Sequence, residues 1–146
     1  MSTWRKMALE LFPNYKDEIE RHETRTDLWI FLNDQFIKAY LANDDEGAMS
    51  VVKFYRWCVS AETYPIPNDL QSDAVVNFIE DNISTDDGFR ALFKYMSPNE
   101  ILFYSSNIAY AQKLESYGEV LQWLCIKVRK LGLIIKCDEI NSAIQR

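Results

Sequence analysis

The stretches TDLWIFLNDQFIKAYL (residues 26–41) and AMSVVKFYRWCV (residues 48–59), separated by the acidic break Asn43-Asp44-Asp45-Glu46, decide the fold. In the first, Leu28, Leu32, Phe36 and Tyr40 recur every four residues, and Trp29, Ile37 and Ala39 widen that apolar face. Such spacing predicts a helix buried on a broad side. In the second, Val51, Phe54, Tyr55, Cys58 and Val59 lie on or near one stripe with Trp57 beside it. A helix over about 48–61 is expected.

Working outward, a capping hydroxyl at Ser2 or Thr3 precedes Trp4, Met7, Ala8 and Leu11, which predicts a first helix to about Phe12. Pro13 should end or kink it, and a short polar helix should follow from Asn14 to His22. Thr24 or Thr26 can cap the long segment that ends at Leu41. Tyr64-Pro65-Ile66-Pro67-Asn68-Asp69 cannot be regular helix, because two prolines remove donors and push their predecessors into extended geometry. Asn68 or Asp69 can then cap a helix to about Asn82 carrying Leu70, Ala74, Val75, Phe78 and Ile79. Ser84-Thr85-Asp86-Asp87 reads as a turn and cap before Phe89, Leu92, Phe93 and Met96.

The sharpest local signal is Ser97-Pro98-Asn99-Glu100, with a hydroxyl at N-cap, proline at N1 and glutamate at N3. Ser116 to Glu119 repeats the pattern more weakly ahead of Val120, Leu121, Leu124, Val128 and Leu131, and Gly132 suits the C′ position. Leu133 to Cys137 reads either as a short strand or as the start of a final helix. The expected architecture is all-α, an irregular bundle of about seven or eight helices forming one domain over residues 1–146.

Composition narrows the function classes. Sixteen basic against twenty-two acidic residues leave a net charge of −6. Between Asp44 and Asp87 ten acidic residues face only Lys53 and Arg56, whereas Lys127, Arg129, Lys130, Lys136 and Arg146 make the end of the chain basic. A phosphate backbone would be repelled by the middle third and a basic protein would be steered towards it. Three well-separated cysteines, Cys58, Cys125 and Cys137, without CxxC spacing, read as buried thiols of a cytoplasmic protein. MSTWRKMALELFP lacks a continuous apolar region, and neither secretion nor membrane insertion is expected.

Reactive motifs are scarce. His22, the one histidine, sits among Arg21, Glu18, Glu20 and Glu23 and reads as a surface residue. Four glycines, none in a GxGxxG or P-loop pattern, offer no cradle for a nucleotide phosphate. Asp81, Asp86 and Asp87, or Asp69 with Asp73, could pair as a carboxylate or Mg2+ site. Helix capping and the first-turn preference for negative charge explain the same spacing. No catalytic, cofactor or metal residue is assigned. Aromatics at helical spacing read as core, while Tyr55 and above all Tyr64, in its proline-bounded loop, suit an interface as well.

The order Trp4-Arg5, Ala8-Leu9-Glu10, Phe12-Pro13, Ile19-Glu20, Leu28-Trp29, Leu32, Phe36, Ala39-Tyr40, Tyr55, Trp57-Cys58, Asn68-Asp69, Ala74-Val75 and Met96-Ser97 to Glu100 resembles an uncharacterised family of short acidic helical bacterial proteins. The resemblance spans Trp4 to about Glu100 and implies a small helical fold without a site to carry over. Together with the charge pattern it leads to the expectation of an inhibitor of immunity-protein type that neutralises a basic bacterial toxin, such as a nuclease. Asp44, Asp45, Glu46, Glu62, Tyr64, Asp69, Asp73, Asp86 and Asp87 are the expected partner-binding residues. A helical adaptor that binds through an apolar groove, and a metal-dependent carboxylate enzyme, are the alternatives.

Overall fold

The structure, a computed structural model, describes residues 3–60, 69–133 and 140, with the side chain of Asp69 left aside. Its secondary structure is all-α, and the chain divides into two compact units, Met1–Phe78 and Ile79–Arg146. The strand-or-helix alternative at Leu133 to Cys137 falls on residues 134–139, outside the described residues.

In the first unit, α1 (Thr3–Leu11) ends at Phe12, and Pro13 occupies the first position of a 3₁₀ turn, Pro13–Tyr15, before α2 (Lys16–Arg21). The expected helix from Asn14 therefore begins as a tighter turn. Proline lacks the N–H a helix interior needs but is suited to a first turn. Arg5 holds this region together: its guanidinium donates to the carbonyls of Ile19 (2.8 Å), Glu20 (3.1 Å) and His22 (3.0 Å). One fork thus satisfies three carbonyls around the end of α2 that no helical N–H can reach.

α3 (Arg25–Leu41) opens on Thr24, whose hydroxyl accepts from the Asp27 N–H at 3.1 Å. α4 (Asp45–Val59) begins three residues earlier than its apolar stripe suggests, because Asp44 is its cap, and it ends on Ser60 rather than Ala61. The two helices pack face to face through Leu28, Trp29, Leu32 and Phe36 on α3 and Val51, Phe54, Tyr55 and Cys58 on α4, all buried. Tyr55 belongs to this core, only 2% exposed, and is no surface anchor. Burial pushes the Cys58 thiol far above its ordinary pKa, which makes it inert as a nucleophile.

The next helical stretch runs as α5 (Asp69–Ala74), a π-helical segment (Val75–Glu80) and α6 (Asp81–Ile83). Buried residues recur at strict four-residue spacing, Leu70-Ala74-Phe78-Asn82 and Val75-Ile79-Ile83. A straight α-helix drifts about 40° for every four residues, so wider turns are needed to keep such a stripe on one side. Two carboxamides attend the widening: the Asn77 Nδ2 donates to the Asp73 carbonyl at 2.8 Å, and the Asn33 side chain donates to the Asn77 carbonyl. Carbonyls displaced from α-helical register are satisfied in this way. Phe78 is the hub of the first unit, with ring centroids 4.9 Å from Phe36, 5.0 Å from Tyr55 and 5.5 Å from Trp29.

In the second unit, α7 (Asp86–Tyr95) is capped by Thr85, which accepts from the Gly88 N–H at 3.1 Å. A Cβ at Gly88 would lie 2.4 Å from the Asn82 carbonyl oxygen, so only glycine lets α7 start this close to the end of α6. α8 (Pro98–Leu102) carries the full reciprocal capping box between Ser97 and Glu100, as its sequence dictates. α9 (Ser105–Gln112) ends with Lys113 in the left-handed region at φ 58°. α10 (Tyr117–Lys130) is capped by Ser116, while Glu119 reaches back to the Glu115 N–H, one residue short of a reciprocal box. Gly132, at φ 66°, ends it as expected. Val120, Leu124 and Val128 form the buried stripe of α10, and Asn107 and Gln112 of α9 donate to Glu80 (3.2 Å) and Ser84 (2.8 Å).

Two stability measurements check this account. Phe78→Ala should destabilise the protein by about 3–5 kcal/mol in chemical denaturation, since it empties the centre of an aromatic cluster. Lys113→Gly should stabilise it by roughly 0.5–1 kcal/mol, because glycine adopts the left-handed conformation without a Cβ penalty.

Candidate functional site

The acidic break between α3 and α4 is first a structural corner. The Asp44 N–H donates to the Ala39 carbonyl at 2.8 Å and the Asn43 N–H to the Tyr40 carbonyl at 3.2 Å, while Asn43 adopts φ 57°. These two bonds form a Schellman motif, with asparagine in the left-handed position that it tolerates better than most residues. Asp44 then turns from the end of one helix to the start of the next, its Oδ1 accepting from the Gly47 N–H at 3.0 Å. A Cβ at Gly47 would fall 2.4 Å from the Asp44 carboxylate, so a larger residue there would push the capping side chain aside. Asp45 and Glu46 occupy the first turn of α4, and all three carboxylates are exposed.

Beside this corner lies a groove of about 530 Å³, walled by Leu11, Phe12, Pro13 and Tyr15 on one side and by Ala39, Ala42, Gly47 and Val51 on the other. Asn14, Gln35, Lys38, Asp44, Glu46 and Ser50 contribute its polar lining. Aromatic contacts fix the 3₁₀ wall: Phe12 meets Phe54 edge-on at 6.1 Å and Tyr15 meets Phe31 at 5.3 Å. The Tyr15 hydroxyl also donates to Gln35 Oε1 at 3.3 Å. Lys38, the cation of the lining, is paired with Asp34 at 2.7 Å, and that partner raises its pKa. Its charge is thus offset from the α3 side.

The α4 dipole also bears on the local charge. A helix N-terminus carries roughly half a positive charge. The two carboxylates that line the groove, Asp44 and Glu46, exceed that, so this end of the groove is net negative. The physical reading is a half-apolar trough with an acidic rim.

The other expected residues do not gather here. Asp73 projects from α5 to Arg25, with Oδ2 at 2.8 Å from Nε and both side chains largely covered, so its charge is spent inside the first unit. Asp86 and Asp87 belong to the second unit, in the first turn of α7, where Asp86 lies 3.7 Å from Lys127 and Asp87 3.7 Å from Arg90. Lys127 rests over the rings of Phe89 and Trp123 at 5.2 and 5.1 Å. Glu62 and Tyr64 lie outside the described residues, and Asp69 opens α5. Among the described residues the expected carboxylates are therefore divided among the starts of α4, α5 and α7, and Asp73, Asp86 and Asp87 each stand beside a cation.

His22 departs from its expected surface position. Its ring packs against Phe31 at 5.9 Å, its Nε2 stands 3.4 Å from Glu18 Oε2, and its side chain is only 20% exposed. Cys125 is half-buried rather than fully buried, and Cys137 lies outside the described residues. Among the described residues no group of three or more His, Cys, Asp or Glu side chains is placed to hold a metal ion, and no helix is long and apolar enough to cross a membrane.

The groove was not legible from local patterns. Tyr15, Gln35 and Lys38 carry no motif, and the one pointer in the sequence was the acidic break itself. Compared with known proteins, the chain matches no family model, no curated protein and no solved structure.

The double role of Asp44 can be separated experimentally. Asp44→Ala should cost about 1 kcal/mol of folding stability through loss of the cap, whereas Asp44→Asn should cost a few tenths at most. Equal losses in thermal or urea unfolding would show that charge, not capping, is what Asp44 contributes to stability.

Proposed function

We propose that this chain is a protein-binding inhibitor of immunity type, which neutralises a basic bacterial toxin by covering its active surface. The observation that supports it is the exposed acidic start of α4 beside a preformed groove. An acidic rim draws in a basic partner and an apolar trough supplies desolvated contact once the partner has docked. Nuclease-type toxins suit this reading, because a surface made to hold phosphates accepts carboxylates in their place. The resemblance to short acidic helical bacterial proteins, a cytoplasmic location and the absence of a catalytic role belong to the same proposal.

A second reading is favoured by Phe103 and Tyr110, which flank and belong to α9 and are 77% and 83% exposed. Large exposed rings of this kind suit a helical adaptor that binds through apolar contact. The two readings differ in which substitutions matter. The inhibitor reading expects a toxin to be encoded immediately upstream, co-expression of this chain to restore growth against it, and Asp45→Lys with Glu46→Lys to abolish the rescue. Association should also slow by roughly tenfold or more as salt rises from low to physiological strength. Absence of rescue, together with binding to a cellular partner that survives charge reversal but is lost in Phe103→Ser with Tyr110→Ser, assigns the adaptor reading instead.

A further inference from the structure

We propose that the groove beside the α3–α4 corner receives a single lysine or arginine side chain from the partner. This rests on the inhibitor reading and specifies where its basic partner inserts. Three observations converge on it. The 3₁₀ wall is rigid, held by the Phe12–Phe54 and Tyr15–Phe31 ring contacts and by the Tyr15 hydroxyl on Gln35. The walls are apolar at Phe12, Pro13 and Val51, which suits the methylene stem of a long basic side chain. The groove also holds the Asp44 and Glu46 carboxylates against one cation, Lys38, already paired with Asp34.

The charge balance selects the occupant. An anionic ligand would meet two carboxylates and gain only the helix dipole, which they outweigh. A neutral apolar side chain would gain the walls but strip water from Asp44 and Glu46 without replacing their hydrogen bonds. A cationic head on an aliphatic stem satisfies both parts of the lining. At about 530 Å³ the space is ample for one such side chain with a short length of backbone and too small for a folded element.

The test uses the full-length, 15N-labelled protein and two probe peptides, Ac-Ala-Ala-Lys-Ala-Ala-amide and the same peptide with norleucine in place of lysine. The lysine peptide should produce saturable shifts in the amides of Tyr15, Ala39 and Gly47, and the norleucine peptide should not. Glu46→Gln together with Asp44→Asn, which keeps the cap, should weaken binding by roughly tenfold. Ala42→Trp, which plugs the groove without altering its charge, should abolish binding. Glu115→Gln, an exposed carboxylate of the other unit, should leave it unchanged. Binding that survives the plug, or falls equally in Glu115→Gln, overturns the groove assignment while growth rescue still tests the inhibitor reading independently. Equal shifts with the norleucine peptide would overturn it as well. Should Ala42→Trp fail to fold, the Glu46→Gln and Asp44→Asn variant decides the matter alone.

Discussion

The first unit depends on one aromatic cluster. Phe78 sits within 5.5 Å, centroid to centroid, of Trp29, Phe36 and Tyr55, and Trp29 in turn meets Phe54 at 5.3 Å. These rings come from α3, α4 and the π-helical stretch after α5, so three elements share one buried nucleus. Each ring contributes a large apolar area, and tilted or edge-on contacts add to it. The widened turn at Val75–Glu80 follows from this packing, because it keeps a strict four-residue stripe on the same side. Asn33 and Asn77 make the widening tolerable by occupying the carbonyls beside it.

A second constraint is geometric. α3 and α4 must reverse direction in a few residues so that their aromatic faces meet, and the corner does so with a left-handed Asn43 and a capping Asp44. The residues that look most like an interaction motif are thus the residues the turn requires. These roles coexist: the cap uses one oxygen of Asp44, and Glu46 adds a carboxylate to the groove beyond what the helix dipole can offset. Function, in this reading, is built on a structural necessity.

Charge elsewhere is largely consumed locally. Arg25 meets Asp73, Lys127 meets Asp86 across the rings of Phe89 and Trp123, and Arg90 meets Asp87. The ten-to-two excess between Asp44 and Asp87 therefore overstates the field that any one surface presents. Pairs that are part-covered lose little to solvent screening, whereas exposed pairs contribute modestly. The α4 corner stands out because its acidic residues adjoin a groove, a fact that no charge count contains.

By itself the sequence determined the helices and most of their ends. The capping box at Ser97, the cap at Thr24, the stop at Gly132 and the buried stripe of α3 are local, set by side chains within a turn of the backbone groups they satisfy. It also marked Trp29, Phe36, Phe54 and Trp57 as core through spacing alone, and of these Trp57 is only half-buried, stacked on Phe54 at 6.1 Å. Only tertiary structure decided the rest. Tyr55 turned inward because Phe78 arrived from a distant helix, His22 settled on Phe31, and Arg5 found the carbonyls at the end of α2. Tyr15, Gln35, Lys38 and Glu46 became one groove because α1, α3 and α4 converge there. Local rules act over three or four residues, while a concave surface is made by contacts that no fixed spacing records.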